Sequence, residues 1–222
     1  MAGGVADRLA AVNRRIAEAA RAAGRRPEDI TLVAVSKTHS AVAIAEAIAA
    51  GHRVFGENRV QEAAGKYPEL RARHPGIELR LIGHLQSNKA EDPVALFDVI
   101  ETLGSAKLAR AVAKAMQRRN RRPRCLIQVN TGREPQKSGV APDQAEELLK
   151  LCRGELGIAV EGLMCIPPVE DDPAAHFALL AGLAKRLGLG VLSMGMSADY
   201  PQAIAAGATH VRVGTAIFGA RS

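Results

Sequence analysis

The feature that most constrains this chain is a repeated alternation of short apolar runs with amphipathic stretches along its 222 residues. Runs at residues 30–35, 53–55, 78–82, 98–101, 124–129, 158–163, 191–193 and 210–213 read as strands. Between them lie segments of helical spacing. One starts behind Ser40 as N-cap and ends at Gly51; the next runs from after Asn58 to about Lys66. A short helical turn follows Lys89, and further helices fall at 105–119, 142–151, 173–187 and 201–206. Ahead of the first strand, residues 7–23 place apolar Leu9, Val12, Ile16, Ala19 and Ala20 at the spacing of an additional amphipathic helix. Eight strands with intervening helices predict an α/β fold, a single TIM-like (β/α)8 barrel over residues 1–222. A doubly wound sheet with a terminal extension is the other arrangement, but no GxGxxG follows the first strand.

Composition removes several classes of function. No tract of 18 residues is both apolar and uncharged, so no membrane span is expected. The N-terminal stretch mixes acids and arginines among alanines, unlike a secretory signal, and a cytoplasmic location is the expectation. Cys125, Cys152 and Cys165 form neither a metal motif nor a complete disulfide set and read as buried thiols. The net charge of +7 has a local source: residues 105–124 carry eight Lys or Arg and no acid. That run is either a solvated helix face with its loop or a polyanion patch. No aromatic residues interleave it, so no specific nucleic-acid partner is expected. Histidines, cysteines and carboxylates do not group as metal ligands.

Barrel chemistry gathers at the C-terminal ends of strands. Lys37 follows the first strand, where a primary amine is placed to condense with an aldehyde; a solvent-facing lysine is the alternative at such a position. Ser197 after the seventh strand, and Gly214 and Thr215 after the eighth, form either tight turns or a cradle for a phosphate dianion. Arg212 is either a strand-end ion pair or a fixed cation facing an aromatic nitrogen. Asn58 either caps the following helix or orients a ligand, and Glu57 is a solvated acid or the partner of a nearby base. His84 is a polar wall or a structural histidine, and Met194 and Met196 are core residues or pocket lining. On these residues alone, the reading stops at a small phosphorylated ligand, with tight turns as the alternative.

Seven segments in order, AVSKTH, FGENRVQEA, LIGHLQSNK, LIQVNTGREPQKSG, GLMCIP, LSMGMSAD and VRVGTAIFGAR, give the chain a strong resemblance to the pyridoxal phosphate homeostasis (PROSC-like, YggS-like) family. The resemblance implies the fold of the alanine racemase N-terminal barrel, with pyridoxal 5'-phosphate (PLP) at its mouth. It implies Lys37 as the Schiff-base lysine, Asn58 in the cofactor environment and Arg212 facing the pyridine nitrogen. It implies Ser197, Gly214 and Thr215 at the phosphate, with Ser193, Met194 and the neighbouring backbone close by. Lys137, His39 and His84 follow as accessory residues. Two positions depart from the family pattern: His39 stands where a second lysine is frequent, and Arg80 where an aromatic residue is common, a change expected to affect outer-pocket packing.

The role so implied is reversible PLP holding in vitamin B6 homeostasis, with apo PLP enzymes as partners and a monomer or weak homodimer as the state. A PLP-dependent amino-acid racemase is the alternative. That reaction needs an acid or base on the opposite face, and Tyr67 and Tyr200 are the chain's only tyrosines.

Overall fold

The computed structural model describes residues 3–219. Strands β1 (Thr31–Val35), β2 (Val54–Glu57), β3 (Glu78–Leu81), β4 (Val99–Leu103), β5 (Arg124–Gln128), β6 (Val160–Met164), β7 (Val191–Ser193) and β8 (His210–Val213) form one closed barrel in chain order. β1 and β8 close it in parallel register, from Thr31 beside His210 to Ala34 beside Val213. That pairing excludes the open, doubly wound arrangement. Around the strands lie α1 (Val5–Ala22), α2 (Ala41–Ala49), α3 (Val60–Arg73), α4 (Glu91–Leu96), α5 (Ala106–Arg119), α6 (Ala145–Lys150), α7 (Pro173–Arg186), α8 (Tyr200–Ala205) and α9 (Thr215–Phe218). Residues 220 and 221, the end of the VRVGTAIFGAR segment, lie outside the described residues.

Local chemistry sets most of these boundaries. Ser40 and Ser105 each accept a backbone N–H three residues on, from Ala43 and Leu108, and so start α2 and α5. α1 buries Val5, Leu9, Val12, Ile16 and Ala20 at helical spacing and packs against α2, α8 and α9.

Three elements differ from the sequence expectation. α3 does not end near Lys66 but continues through Pro68 to Arg73. An interior proline costs about 3 kcal/mol, whereas burying Tyr67 and Leu70 contributes about 1.5–3 kcal/mol each, so the apolar face carries the helix onward. The 142–151 helix divides into a 3-10 turn at Pro142–Gln144, α6, and a π-turn at Leu151–Glu155. α9 was not expected, because its single turn between two glycines reads as loop.

Alternation along the strands makes two cores. Leu32, Ala34, Leu79, Leu81, Ile100 and Ile127 belong to the main core shared with the helices, while Val99, Leu126 and Met164 form a separate cluster. Charged and polar groups join that second layer. Arg80 Nε donates to Glu101 Oε1 at 2.5 Å, and Ser193 Oγ donates to Glu101 Oε2 at 2.5 Å. β4 and β7 are separated by β5 and β6, so the Glu101–Ser193 bond spans the barrel interior.

Arg80 is therefore not an outer-pocket residue, as the sequence suggested. Leu79 and Leu81 face the helices, which turns Arg80 inward to Glu78 and Glu101, where it is 1% exposed. The basic run is largely paired across elements: Arg118 and Arg119 reach Glu91, Arg121 reaches Asp98, and Arg124 reaches Glu78 and Glu161. All three cysteines are buried and free. Among the described residues, no helix is long and apolar enough to cross a membrane.

Candidate functional site

A cavity of about 200 Å³ opens where the C-terminal strand ends meet. Lys37, Thr38 and His39 enter it after β1, Asn58 after β2, and Met196 and Ser197 after β7. Arg212 comes from β8, followed by Gly214 and Thr215, and Ile82 and Ile166 supply apolar walls. The fold thus brings Lys37, Asn58, Ser197, Arg212, Gly214 and Thr215 into one cavity.

The turn after β1 divides neighbouring side chains between two environments. Ser36 is fully buried and bonds Glu57 Oε1 and the Tyr67 hydroxyl, each at 2.7 Å, while Lys37 lines the cavity. Glu57 is the buried partner of Lys66, at 2.7 Å, rather than a solvated acid. Burial raises the Glu57 carboxyl above its ordinary range despite the opposing contacts from Lys66 and Ser36. Asn58 does not cap α3, because Arg59 occupies the N-cap position. Its backbone is pressed against Gly83, where a Cβ would lie 2.1 Å from the Asn58 carbonyl oxygen, so Gly83 permits the approach that places Asn58.

Arg212 is 4% exposed and rigidly held. Its Nη1 donates to Ser193 Oγ at 2.7 Å and its Nη2 to the Cys165 carbonyl at 2.8 Å. Glu101 lies 4.0 Å from Nη1. Burial alone would raise the Glu101 carboxyl; the charges of Arg80 and Arg212 and the Ser193 hydrogen bond outweigh it and hold the group below its ordinary range. Arg212 is therefore a fixed cation backed by a buried carboxylate.

On the same rim, Gly214 packs so closely on β1 that a Cβ would sit 3.1 Å from the Val35 carbonyl oxygen and 3.3 Å from Val35 Cβ. Backbone thereby reaches the cavity beside the Thr215 and Ser197 side chains. Asp199 Oδ1 accepts the Met196 N–H at 2.6 Å and fixes the turn bearing Ser197. A primary amine, a buried cation and a hydroxyl-and-glycine cradle together suit an aldehyde-bearing aromatic phosphate.

Other expected residues fall elsewhere. Ser193 is fully buried between Glu101 and Arg212, so it positions Arg212 and does not line the cavity. Met194 is fully buried in the main core, whereas Met196 lines the site. His39 stacks on Phe218 with ring centroids 5.0 Å apart. His84 and Lys137 line an adjacent cavity of about 320 Å³ that shares Asn58, Ile82 and Ile166 with the first. There Lys137 pairs with Glu134 at 2.6 Å, and His84 Nδ1 lies 2.7 Å from Ser138 Oγ. A larger cavity of about 560 Å³ lies beside α5 and α6; none of Lys37, Asn58, Ser197, Arg212, Gly214 and Thr215 lines it.

The sequence reading missed Glu101, Glu62 and Lys66. Period-two alternation between Val99 and Glu101 was the available signal for the first. For Glu62 and Lys66, the helical i,i+4 spacing signalled a pair but not its target.

Comparison with known proteins agrees with this geometry. Residues 8–222 match the family model of the alanine racemase N-terminal domain. The chain is 42% identical over 222 residues to the pyridoxal phosphate homeostasis protein of Pseudomonas aeruginosa, covering 98% of this chain and 96% of that one. It is similar to PipY of Synechococcus elongatus PCC7942, solved without PLP, at 39% identity and a TM-score of 0.86, covering 97% of this chain and all of PipY. The PLP-bound PipY structure matches with 38% identity and a TM-score of 0.82 over the same shares of both chains.

Proposed function

The chain belongs to the alanine racemase N-terminal domain family and, within it, to the pyridoxal phosphate homeostasis proteins; from that premise we propose that it binds PLP in cytoplasmic vitamin B6 homeostasis, holding it reversibly on Lys37 and supplying it to apo-enzymes. The observation that carries this reading is the convergence of Lys37, Arg212 and the Ser197–Gly214–Thr215 cradle in one cavity. When bound, PLP supplies an aldehyde that condenses with a primary amine, with loss of water, in a reversible Schiff base. Lys37 provides the amine. Ser197, Thr215 and the Gly214 backbone would hold the phosphate, and Asn58 would orient the ring.

Arg212 would face the ring nitrogen, and its fixed charge would oppose protonation there. A ring nitrogen without a proton accepts carbanion charge poorly, which favours holding the cofactor over rapid amino-acid turnover. Racemisation also calls for a proton donor or acceptor on the opposite face. Tyr67 and Tyr200 are both buried outside the cavity.

Supply is tested by loading the chain with PLP, removing free cofactor, and adding an apo PLP enzyme together with an aldehyde scavenger. Reactivation that persists with the scavenger is the expected result. Reactivation that the scavenger abolishes refutes direct supply, and robust racemase turnover by the loaded chain refutes the holding role.

A further inference from the structure

We infer that Lys66 of α3 is a positioning residue for Lys37, strapping the turn that presents its amine and thereby setting how fast that amine meets an aldehyde. The inference rests on Lys37 being the amine that carries the cofactor. Its first observation is backbone conformation. Thr38, next to Lys37, has φ +65°, a left-handed conformation that a β-branched residue seldom adopts. Such a turn persists only where its surroundings hold it.

The holding groups lie on α3 and at the end of β2. Lys66 Nζ donates to the Ser36 carbonyl at 3.1 Å and to the His39 carbonyl at 3.2 Å, bracketing the Lys37–Thr38 pair. The same ammonium meets Glu57 Oε1 at 2.7 Å and Glu62 Oε1 at 2.8 Å. Both acids grip the turn as well: Glu62 Oε1 accepts the Thr38 N–H at 2.5 Å, and Glu57 Oε1 accepts the Ser36 hydroxyl at 2.7 Å.

With 11% of its side chain exposed, Lys66 is little screened by solvent. It does not line the cavity, so its effect reaches the cofactor through Lys37. α3 itself is anchored by buried Ala63, Tyr67 and Leu70. Loss of Lys66 therefore loosens the turn without removing the helix from the barrel. The freed Lys37 backbone then samples more orientations, and fewer of them aim the amine at the reacting carbon.

The test uses Lys66→Met, which keeps the alkyl stem and removes the charge and donors. Two ligands separate positioning from general damage. PLP reports covalent capture through its absorbance change. 4'-Deoxypyridoxine 5'-phosphate has the same ring and phosphate but a methyl group in place of the aldehyde, and reports non-covalent binding alone. The expected result is adduct formation slowed about tenfold or more, with affinity for the deoxy compound changed by less than about threefold, a span of roughly 0.7 kcal/mol.

Equal losses for both ligands would show a merely structural role and overturn the inference. If Lys66→Met does not fold, Glu62→Gln removes charge from the same strap and must give the same split. A wild-type chain that forms no adduct at Lys37 overturns the parent reading and this one with it. A wild-type adduct with an undiminished rate in Lys66→Met overturns this one alone.

Discussion

Glu101→Gln probes the ionic layer that fixes Arg212. The native carboxylate is fully buried, 2.5 Å from Arg80 and 4.0 Å from Arg212, and it accepts a hydrogen bond from Ser193. Glutamine keeps the shape and removes the charge, leaving buried guanidinium groups less compensated. Removing one partner of a buried ion pair costs about 3–5 kcal/mol. Arg80 retains Glu78 at 2.5 Å, which places the expected loss at the lower end, about 3 kcal/mol. Domains are stable by about 5–15 kcal/mol, so the variant should still fold.

Urea unfolding at neutral pH, followed by circular dichroism, measures the loss. With a denaturant slope of about 1–3 kcal/mol/M, the midpoint should fall by at least about 1 M. The sign with pH also follows. Glu101 has a native pKa below its ordinary 4.5, so its contribution is present above 4.5 and is lost as pH falls through the depressed native value. The wild-type advantage over Glu101→Gln should therefore shrink in acid. An unchanged midpoint and slope at neutral pH would refute the interdependence of these charges.

Two further outcomes concern the lumen and the phosphate cradle. Burial, reinforced by Arg80, lowers His210 from 6.5 to about 4. Its neutral form contributes stability above pH 6.5 that is lost as pH falls toward 4, at most about 3 kcal/mol. His210→Gln should flatten the urea midpoint across that window, and a wild-type slope in the variant contradicts the assignment. Gly214→Ala places a methyl 3.1 Å from the Val35 carbonyl oxygen and pushes the cradle away from β1. The PLP dissociation constant should rise about tenfold, or 1.4 kcal/mol, while that of pyridoxal, which has no phosphate, changes little. Equal losses for both ligands contradict a phosphate role for Gly214.

Much of the barrel was legible because parallel strands buried on both faces leave short apolar runs, and turn residues separate them. The N-terminal helix was legible because Leu9, Val12, Ile16 and Ala20 recur at helical spacing. α9 was not, since one turn of helix has too few residues to show a period. The continuation of α3 was hidden by Pro68, a local penalty that burial of Tyr67 and Leu70 overrides.

Within the site, the strand exits group Lys37, Asn58, Ser197, Arg212, Gly214 and Thr215, and these residues line one cavity. Ser193 and Met194 are close in sequence to that rim, but one turns into the lumen and the other into the main core. Proximity along the chain did not distinguish those faces; strand alternation does. The Glu57–Lys66–Glu62 strap depends on contacts between the β1 exit, β2 and α3, which only the closed fold defines.

The most direct test of the central claim is the site of covalent capture. The chain is mixed with PLP, reduced with borohydride, digested, and its modified peptide mapped by mass spectrometry, with Lys37→Ala treated in parallel. The expected result is one dominant adduct on Lys37 that disappears in Lys37→Ala, while circular dichroism shows the variant to be folded. An adduct retained at full yield in Lys37→Ala, or mapped in the wild type to Lys137, would contradict the assignment.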